Sequence, residues 1–366
     1  MDSSKRKISN FLTIIYPLFS HRGMKNVVII GGGFAGSVCA KKLERGFNVT
    51  LVDTKDYFEF TPSILRLAVS PESIRTIRVP HQNYLSHTTV ISEKALKIDH
   101  SSILTSTGKH PYDYLIIASG AKYGLPIKGD NMVVASHSEE LRKAAKQVQE
   151  ASSILIIGAG LVGVELAGEI IEAYPGKKVI ILEALDKIMS RSPEKAQRYV
   201  KNFLEKRGVK FILNEKLLKC EGSTYITDKG SKITPDVAFL SIGITPHCDH
   251  FQDHCAAHLD PRKFLSVNEH LQVGNFKNVF AAGDVTAIME EKTAHNAERH
   301  ADVIVENISR LEKAEQLVKY NSASAPMVIS LGKKHGVLVM KNKVVTGKMP
   351  GLLKRFVEWK SLRKYR

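Results

Sequence analysis

Apolar residues along the chain fall in short runs that end on glycine, and the first run sets the pattern. Val27-Val28-Ile29-Ile30 leads into Gly31-Gly32-Gly33-Phe34-Ala35-Gly36, and residues 37–43 continue with helical spacing. A β-branched run bounded by glycine predicts a buried strand, and the spacing after it predicts a helix. Asn48–Val52 predicts a second strand, ending on Asp53. The pattern returns at Ser153–Ile157, followed by Gly158-Ala159-Gly160-Leu161-Val162-Gly163, a helix from Val164, and a strand Lys178–Leu182 that ends on Glu183. Further strands run into small residues: Tyr114–Ile117 into Ala118-Ser119-Gly120, Val237–Ile242 into Gly243, and Val279–Ala281 into Ala282-Gly283-Asp284. A helix is predicted at 194–207, a strand at 209–213 and a hairpin at 225–232. Pro62 is placed to start a helix after Thr61.

Alternating strands and helices around two such turns predict an α/β fold with two Rossmann-type dinucleotide-binding units. In the first turn Gly31 allows the bend, Gly33 lets a pyrophosphate approach the backbone, and Gly36 lets the helix pack on the strand. Phe34 and Ala35 open the helix, whose free N–H groups favour phosphate. Asp53 stands where a ribose hydroxyl is held. Gly158, Gly160, Gly163 and Glu183 repeat the arrangement. A carboxylate at Glu183 accepts from the ribose hydroxyls and repels a 2′-phosphate, which favours NADH; Lys187 and Arg191 downstream keep NADPH open. A chain with two dinucleotide sites is built to move hydride or electrons between them.

Length and charge refine this. The 366 residues suffice for several cores, and the expected division has four parts. Residues 1–23 form an extension, 24–121 with 243–319 the first unit, 122–242 the second, and 320–366 a C-terminal α+β segment. The net charge of +16 suits an anionic partner: dinucleotide, nucleic acid or an anionic membrane surface. The four cysteines form no Cys-x-x-Cys pair, which argues against a redox disulfide. In the extension, Lys5-Arg6-Lys7 precedes the apolar stretch 11–19, too short to span a bilayer. It reads as a mitochondrial presequence, a membrane-surface anchor or a plain tail. Position 2 is not glycine, so N-myristoylation is excluded. His247, Cys248, His250, His254, Cys255 and His258 crowd together, but without structural-zinc spacing, and no metal is expected.

The order of the two glycine turns, Ile117-Ala118-Ser119-Gly120 and Ala282-Gly283-Asp284 resembles the two-dinucleotide flavoprotein reductases over roughly residues 24–345. Within them the chain is similar to the ferroptosis suppressor proteins, the apoptosis-inducing-factor-like proteins and the type II NADH:quinone dehydrogenases. The resemblance implies FAD in the first unit and NAD(P)H in the second. It assigns Asp284 to the ribityl chain, Thr61 and Pro62 to the isoalloxazine, and Glu165 to the junction of nicotinamide and flavin. It also implies that the helix from Thr293-Ala294 points its N-terminus at the flavin pyrimidine edge, with Thr293 as N-cap. His295 and Arg299 stand where the type II dehydrogenases typically carry two glutamines near the quinone. Lys354 lies near a functional lysine of the ferroptosis suppressor proteins.

In the C-terminal segment, two strands near Met327 and Gly336 are a candidate homodimer interface. A helix from Leu352 is expected to carry Leu352, Leu353, Phe356, Val357 and Trp359 on one face and Lys354, Arg355 and Glu358 on the other. A basic helix of this kind suits either an anionic membrane or packing on the protein's own core. The expected activity is FAD-dependent NADH:quinone oxidoreduction without proton pumping, at a membrane on the cytoplasmic face or in the mitochondrion. Glu165, His295 and Lys354 are the catalytic candidates. The rivals are a reductase of a small iron–sulfur carrier and a DNA-binding signalling flavoprotein.

Overall fold

The computed structural model describes residues 23–122, 130–134, 138–248, 255–323, 325–341 and 343–366. The extension at 1–22, and His250 and His254 of the Cys/His-rich stretch, lie outside the described residues.

Strand β1 (Asn26–Ile30) is fully buried from Val27 onward, and helix α1 (Phe34–Leu43) follows its glycine turn. Next come β2 (Asn48–Val52), β3 (Thr88–Ile91) and β4 (Tyr114–Ile117). The second unit holds β5 (Met132–Val134), α2 (Ser138–Glu150), β6 (Ser153–Ile157), α3 (Leu161–Ala173), β7 (Lys178–Leu182), α4 (Glu194–Glu205), β8 (Lys210–Ile212) and β9 (Val237–Leu240). The chain then adds β10 (Val279–Ala281) and α5 (Ala294–Glu312). It closes with β11 (Met327–Leu331), β12 (His335–Met340), β13 (Lys343–Gly347) and α6 (Lys348–Leu362).

Two parallel sheets result, ordered β10-β4-β1-β2-β3 and β5-β9-β6-β7-β8. Val27 pairs with Val49 in one and Ile154 with Val179 in the other, so the apolar runs of each sheet lie side by side. Strands covered on both faces read as continuous apolar runs, which is why periodicity located them. The β10 strand joins the first sheet beside β4 although the whole second unit intervenes. The chain crosses between the sheets on a two-stranded antiparallel ribbon, Ala121–Lys122 against Thr245–Pro246. Helix α1 packs on α5.

Strands β11 to β13 form an antiparallel sheet that packs on α3 and α6 of the same chain. Gly168 makes the first contact close: a Cβ there would lie 2.8 Å from Leu331 Cα. Helix α6 begins at Lys348, earlier than expected, with Pro350 in its first turn. That is permitted because first-turn N–H groups have no partner inside the helix. Of the two orientations the sequence left open for α6, the structure has the one with its apolar side turned to solvent. Lys354 and Glu358, one turn apart, are largely covered and pair inward. Leu352, Phe356, Val357 and Trp359 face solvent, Trp359 at 55% exposure. The polar residues have partners on the protein, and the apolar ones do not cover its core.

Past α6, Tyr365 is buried, stacked on Phe58 at 4.0 Å between ring centroids and edge-on to Tyr84 at 5.0 Å. The helix expected to start at Pro62 is a 3-10 segment, Thr61–Ala68. Among the described residues no helix is long and apolar enough to cross a membrane.

Candidate functional site

The two glycine turns are copies at atomic detail. Gly31 N–H donates to Val52 at 2.8 Å, and Gly158 N–H to Leu182 at 2.7 Å. Gly31 and Gly158 sit at φ of +100° and +105°, a region that side chains disfavour. A Cβ on Gly36 would lie 1.8 Å from Gly31 O, and one on Gly163 would lie 2.0 Å from Gly158 O. A Cβ on Gly33 or Gly160 meets nothing within 4 Å. The outer glycines are therefore required by the protein's own packing. The middle ones open onto space at a helix N-terminus, the place for an anion.

Each turn is held by the acid at the tip of the next strand. Asp53 Oδ2 accepts from Gly32 N–H at 2.5 Å, and Glu183 Oε2 accepts from Ala159 N–H at 2.7 Å. Lys55 N–H binds the other oxygen of Asp53, and Leu185 N–H that of Glu183. Both carboxylates are thus fixed beside their cradles. Of the cations near Glu183, Lys187 is exposed and Arg191 pairs with Glu291 at 3.1 Å.

A second helix N-terminus meets the first cradle. Gly283 stands between Ala35 of α1 and Ala297 of α5: a Cβ on it would lie 3.9 and 3.5 Å from their Cβ atoms. Thr293 caps α5, its hydroxyl accepting from Asn296 N–H at 3.2 Å, and Ala294 begins the helix. Burial pushes the Asp284 carboxyl up, against the opposing charge of Lys292. A network that the sequence did not reveal holds this corner. Gly283 N–H donates to His300 Nδ1 at 2.9 Å, so the imidazole carries its proton on Nε2, which donates to Glu290 at 2.9 Å. Tyr320 and Ser322 hydroxyls donate to the same carboxylate. Burial lowers the His300 pKa to about 4. The only sequence signal was His300 on the inward face of α5. Ala118 O lies against Gly31, while Gly120 and Gly243 turn the chain at φ of +70° and +54° beside the crossing ribbon.

Of the catalytic candidates, two meet. Lys354 Nζ lies 2.5 Å from Glu165 Oε1, and Ser330 donates to Glu165 through its N–H at 2.7 Å and its hydroxyl at 2.9 Å. His295 is exposed on the first turn of α5 and is not joined to that pair. Arg299 donates to Asn321 O at 2.6 Å and sits over the Tyr320 ring. Beside the Glu165–Lys354 pair is a cavity of about 330 Å³ between the Thr61–Ala68 segment, α3, β11 and α6. Pro62, Ser63, Arg66, Glu169 and Lys354 line it. Thr61 opens the segment that carries Pro62.

A family model described as pyridine nucleotide-disulphide oxidoreductase matches residues 25–301. The chain belongs to that family. It is an oxidoreductase, and FAD and NAD(P)H are its cofactors. Apoptosis-inducing factor homolog B of Dictyostelium discoideum is 31% identical over 344 residues, covering 86% of this chain and 89% of its own. Ferroptosis suppressor protein 1 of Taeniopygia guttata is 28% identical, covering 86% and 88%. The X-ray structure of the sulfide:quinone oxidoreductase from Aquifex aeolicus aligns at TM-score 0.79 and 24% identity, covering 93% of this chain and 91% of that one.

The cradles fit the cofactors: two open glycine positions, each at a helix N-terminus with a carboxylate fixed beside it. Cys39, Cys220 and Cys255 are free thiols, so the four cysteines form no disulphide pair to match the one in the family's description. Cys39 is fully buried, and burial pushes its thiol far up, so it is inert.

Proposed function

We propose that this chain is a FAD-dependent NAD(P)H:quinone oxidoreductase that works at a membrane surface and pumps no protons. Bound FAD supplies a two-electron relay between nicotinamide and acceptor. Gly31, Gly33, Phe34, Ala35 and Gly36 hold its pyrophosphate, Asp53 its ribose and Asp284 its ribityl chain. Ala118, Gly120 and Gly243 give it close backbone passage, and Thr61 and Pro62 flank its ring. The α5 N-terminus at Thr293 and Ala294 offers partial positive charge to a reduced ring. Gly158, Gly160, Gly163 and Glu183 hold the nicotinamide nucleotide, with NADH preferred.

The observation that carries the acceptor assignment is the cavity beside the Glu165–Lys354 pair. It has Pro62 at one wall and α6 at another, and the opposite side of α6 exposes Leu352, Phe356, Val357 and Trp359. Lys348, Arg355, Lys360, Arg363 and Lys364 are exposed on α6 or just after it. A basic helix with exposed aromatics suits the surface of an anionic bilayer, where a quinone resides. Seated there, α6 brings the cavity to the acceptor's own phase. Glu165 and Lys354 orient the bound head group, and proximity supplies most of the rate.

The test is direct. The purified chain should show a bound-flavin spectrum and oxidise NADH faster with a short-chain quinone than with oxygen. Loss of flavin overturns the reading. Bound flavin with ferricyanide turnover and no quinone turnover points to a protein electron carrier instead, and salt-dependent DNA affinity without quinone turnover to a nucleic-acid role.

A further inference from the structure

Glu169 is one turn along α3 from Glu165 and lines the same cavity at 7% exposure. Among the described residues no hydrogen bond reaches its carboxyl. Two polar atoms on residues of that wall are buried without a partner: Ser63 Oγ and Arg66 Nε. A buried polar group left unpaired costs about 1–3 kcal/mol, and two such atoms on residues that line one cavity, beside a carboxyl that no hydrogen bond reaches, mark a place that a ligand completes. The two cations that act on Glu169 are already engaged. Arg66 is held by both oxygens of Glu358, at 3.2 and 3.0 Å, and Lys354 by Glu165.

We propose that the Glu169 carboxyl is the proton donor to the quinone bound in this cavity, with Ser63 Oγ and Arg66 Nε holding the acceptor's oxygen. The proposal rests on the quinone reading above and deepens it. Reduction of a quinone to a quinol takes two electrons and two protons. The hydride equivalent of NADH brings both electrons and one proton. The other comes from Glu169: its O–H bond breaks, an O–H bond forms on the quinol, and the carboxylate left behind takes a proton back from solvent at the cavity mouth.

Burial keeps the Glu169 carboxyl above its ordinary range, and the like charges of Glu165 and Glu172 act in the same direction. Arg66 and Lys354 oppose them, but each is partnered by a carboxylate of its own. Glu72, Lys333 and Arg355 also line the cavity and are exposed to solvent. A carboxyl whose pKa is raised by burial is suited to general-acid chemistry.

The test compares the holoenzyme with Glu169→Gln, which keeps shape and removes the proton. With NADH as donor, decylubiquinone needs protons and ferricyanide does not. The variant's ratio of quinone to ferricyanide turnover should fall about a hundredfold, within the range for a general acid. The wild-type solvent deuterium isotope effect on quinone reduction should vanish with it. A second readout involves no turnover. Infrared difference spectra of oxidised holoenzyme with and without decylubiquinone should show a protonated-carboxyl band that Glu169→Gln lacks. A variant that keeps the wild-type ratio, or a spectrum with no such band, overturns the proposal. A wild-type protein that reduces ferricyanide but no quinone overturns the functional reading instead.

Discussion

Lys354 Nζ and Glu165 Oε1 lie 2.5 Å apart although 189 residues separate them in the chain. The contact ties α6, whose outer side is apolar, to the helix that follows the second glycine turn. Glu165 also accepts twice from Ser330, so its carboxylate is held from two elements at once.

Lys354→Met should leave that carboxylate short of its cation. Both side chains are about 15% exposed, so the loss is smaller than for a fully buried pair: up to about 3 kcal/mol. Quinone turnover should drop by on the order of a hundredfold through misplacement of the acceptor. Urea unfolding and steady-state kinetics measure the two effects. The double variant with Glu165→Gln should recover most of the stability and none of the turnover.

Gly33→Ala and Gly36→Ala should fail differently. At Gly33 the new methyl group enters open space, so the chain should fold with an unchanged circular dichroism spectrum and lose most of its flavin. At Gly36 it meets Gly31 O at 1.8 Å, and soluble protein should be lost. Flavin content per folded chain separates the two outcomes. Gly160→Ala should retain flavin and lose NADH affinity.

Removing the Glu183 carboxylate should shift nucleotide choice. A hydrogen bond to a charged group contributes about 1.5–3 kcal/mol, so Glu183→Ala should raise the KM for NADH roughly ten- to a hundredfold. The KM for NADPH should change far less, because the loss of a repelling charge offsets the lost contact. Equal losses for both nucleotides would contradict the role given to Glu183.

The strands and both turns were legible because their signals are local: a β-branched run, three glycines and an acid lie within one stretch of some 30 residues. Thr293 was legible as a cap for the same reason. The cavity was not. Ser63, Glu169 and Lys354 come from three distant segments, and nothing near any of them in the sequence says that they meet. The orientation of α6 stayed open for a related reason. Helical spacing shows which residues share a face, but partners elsewhere decide which face turns inward. Here Glu165 and Arg66 draw Lys354 and Glu358 to the protein. His300 was missed because an inward-facing histidine has the spacing of any core residue.

His300 supplies a pH dependence. Its pKa is lowered to about 4 by burial, against about 6.5 for the unfolded chain. Below pH 6.5 the unfolded state binds the extra proton first. The stabilisation is therefore complete above pH 6.5 and is lost as pH falls from there toward 4. Protonation at Nδ1 also ends the bond from Gly283 N–H, next to Asp284. The melting midpoint of the holoenzyme should fall across that window, with flavin released earlier than in neutral buffer. His300→Gln should flatten the dependence.

The outer side of α6 can be changed without touching the core. Phe356→Glu with Trp359→Glu should leave stability and ferricyanide turnover near wild type, since both side chains are exposed. Co-sedimentation with vesicles containing phosphatidylserine should fall at least tenfold, and quinone reduction in those vesicles should fall with it. Undiminished vesicle binding would remove α6 from the membrane surface.

The first sheet takes its last strand, β10, from beyond the whole second unit, and the rings of Phe58 and Tyr84 receive Tyr365 from beyond α6. Synthesis runs the other way along the chain. When the ribosome has made Ile117, the unit begun first still lacks an edge strand and part of its aromatic core. The second unit, continuous between the two crossing strands, has its whole parallel sheet as soon as β9 emerges. The unit begun first is therefore completed last, and its nascent form exposes apolar surface for most of the time the chain is being made.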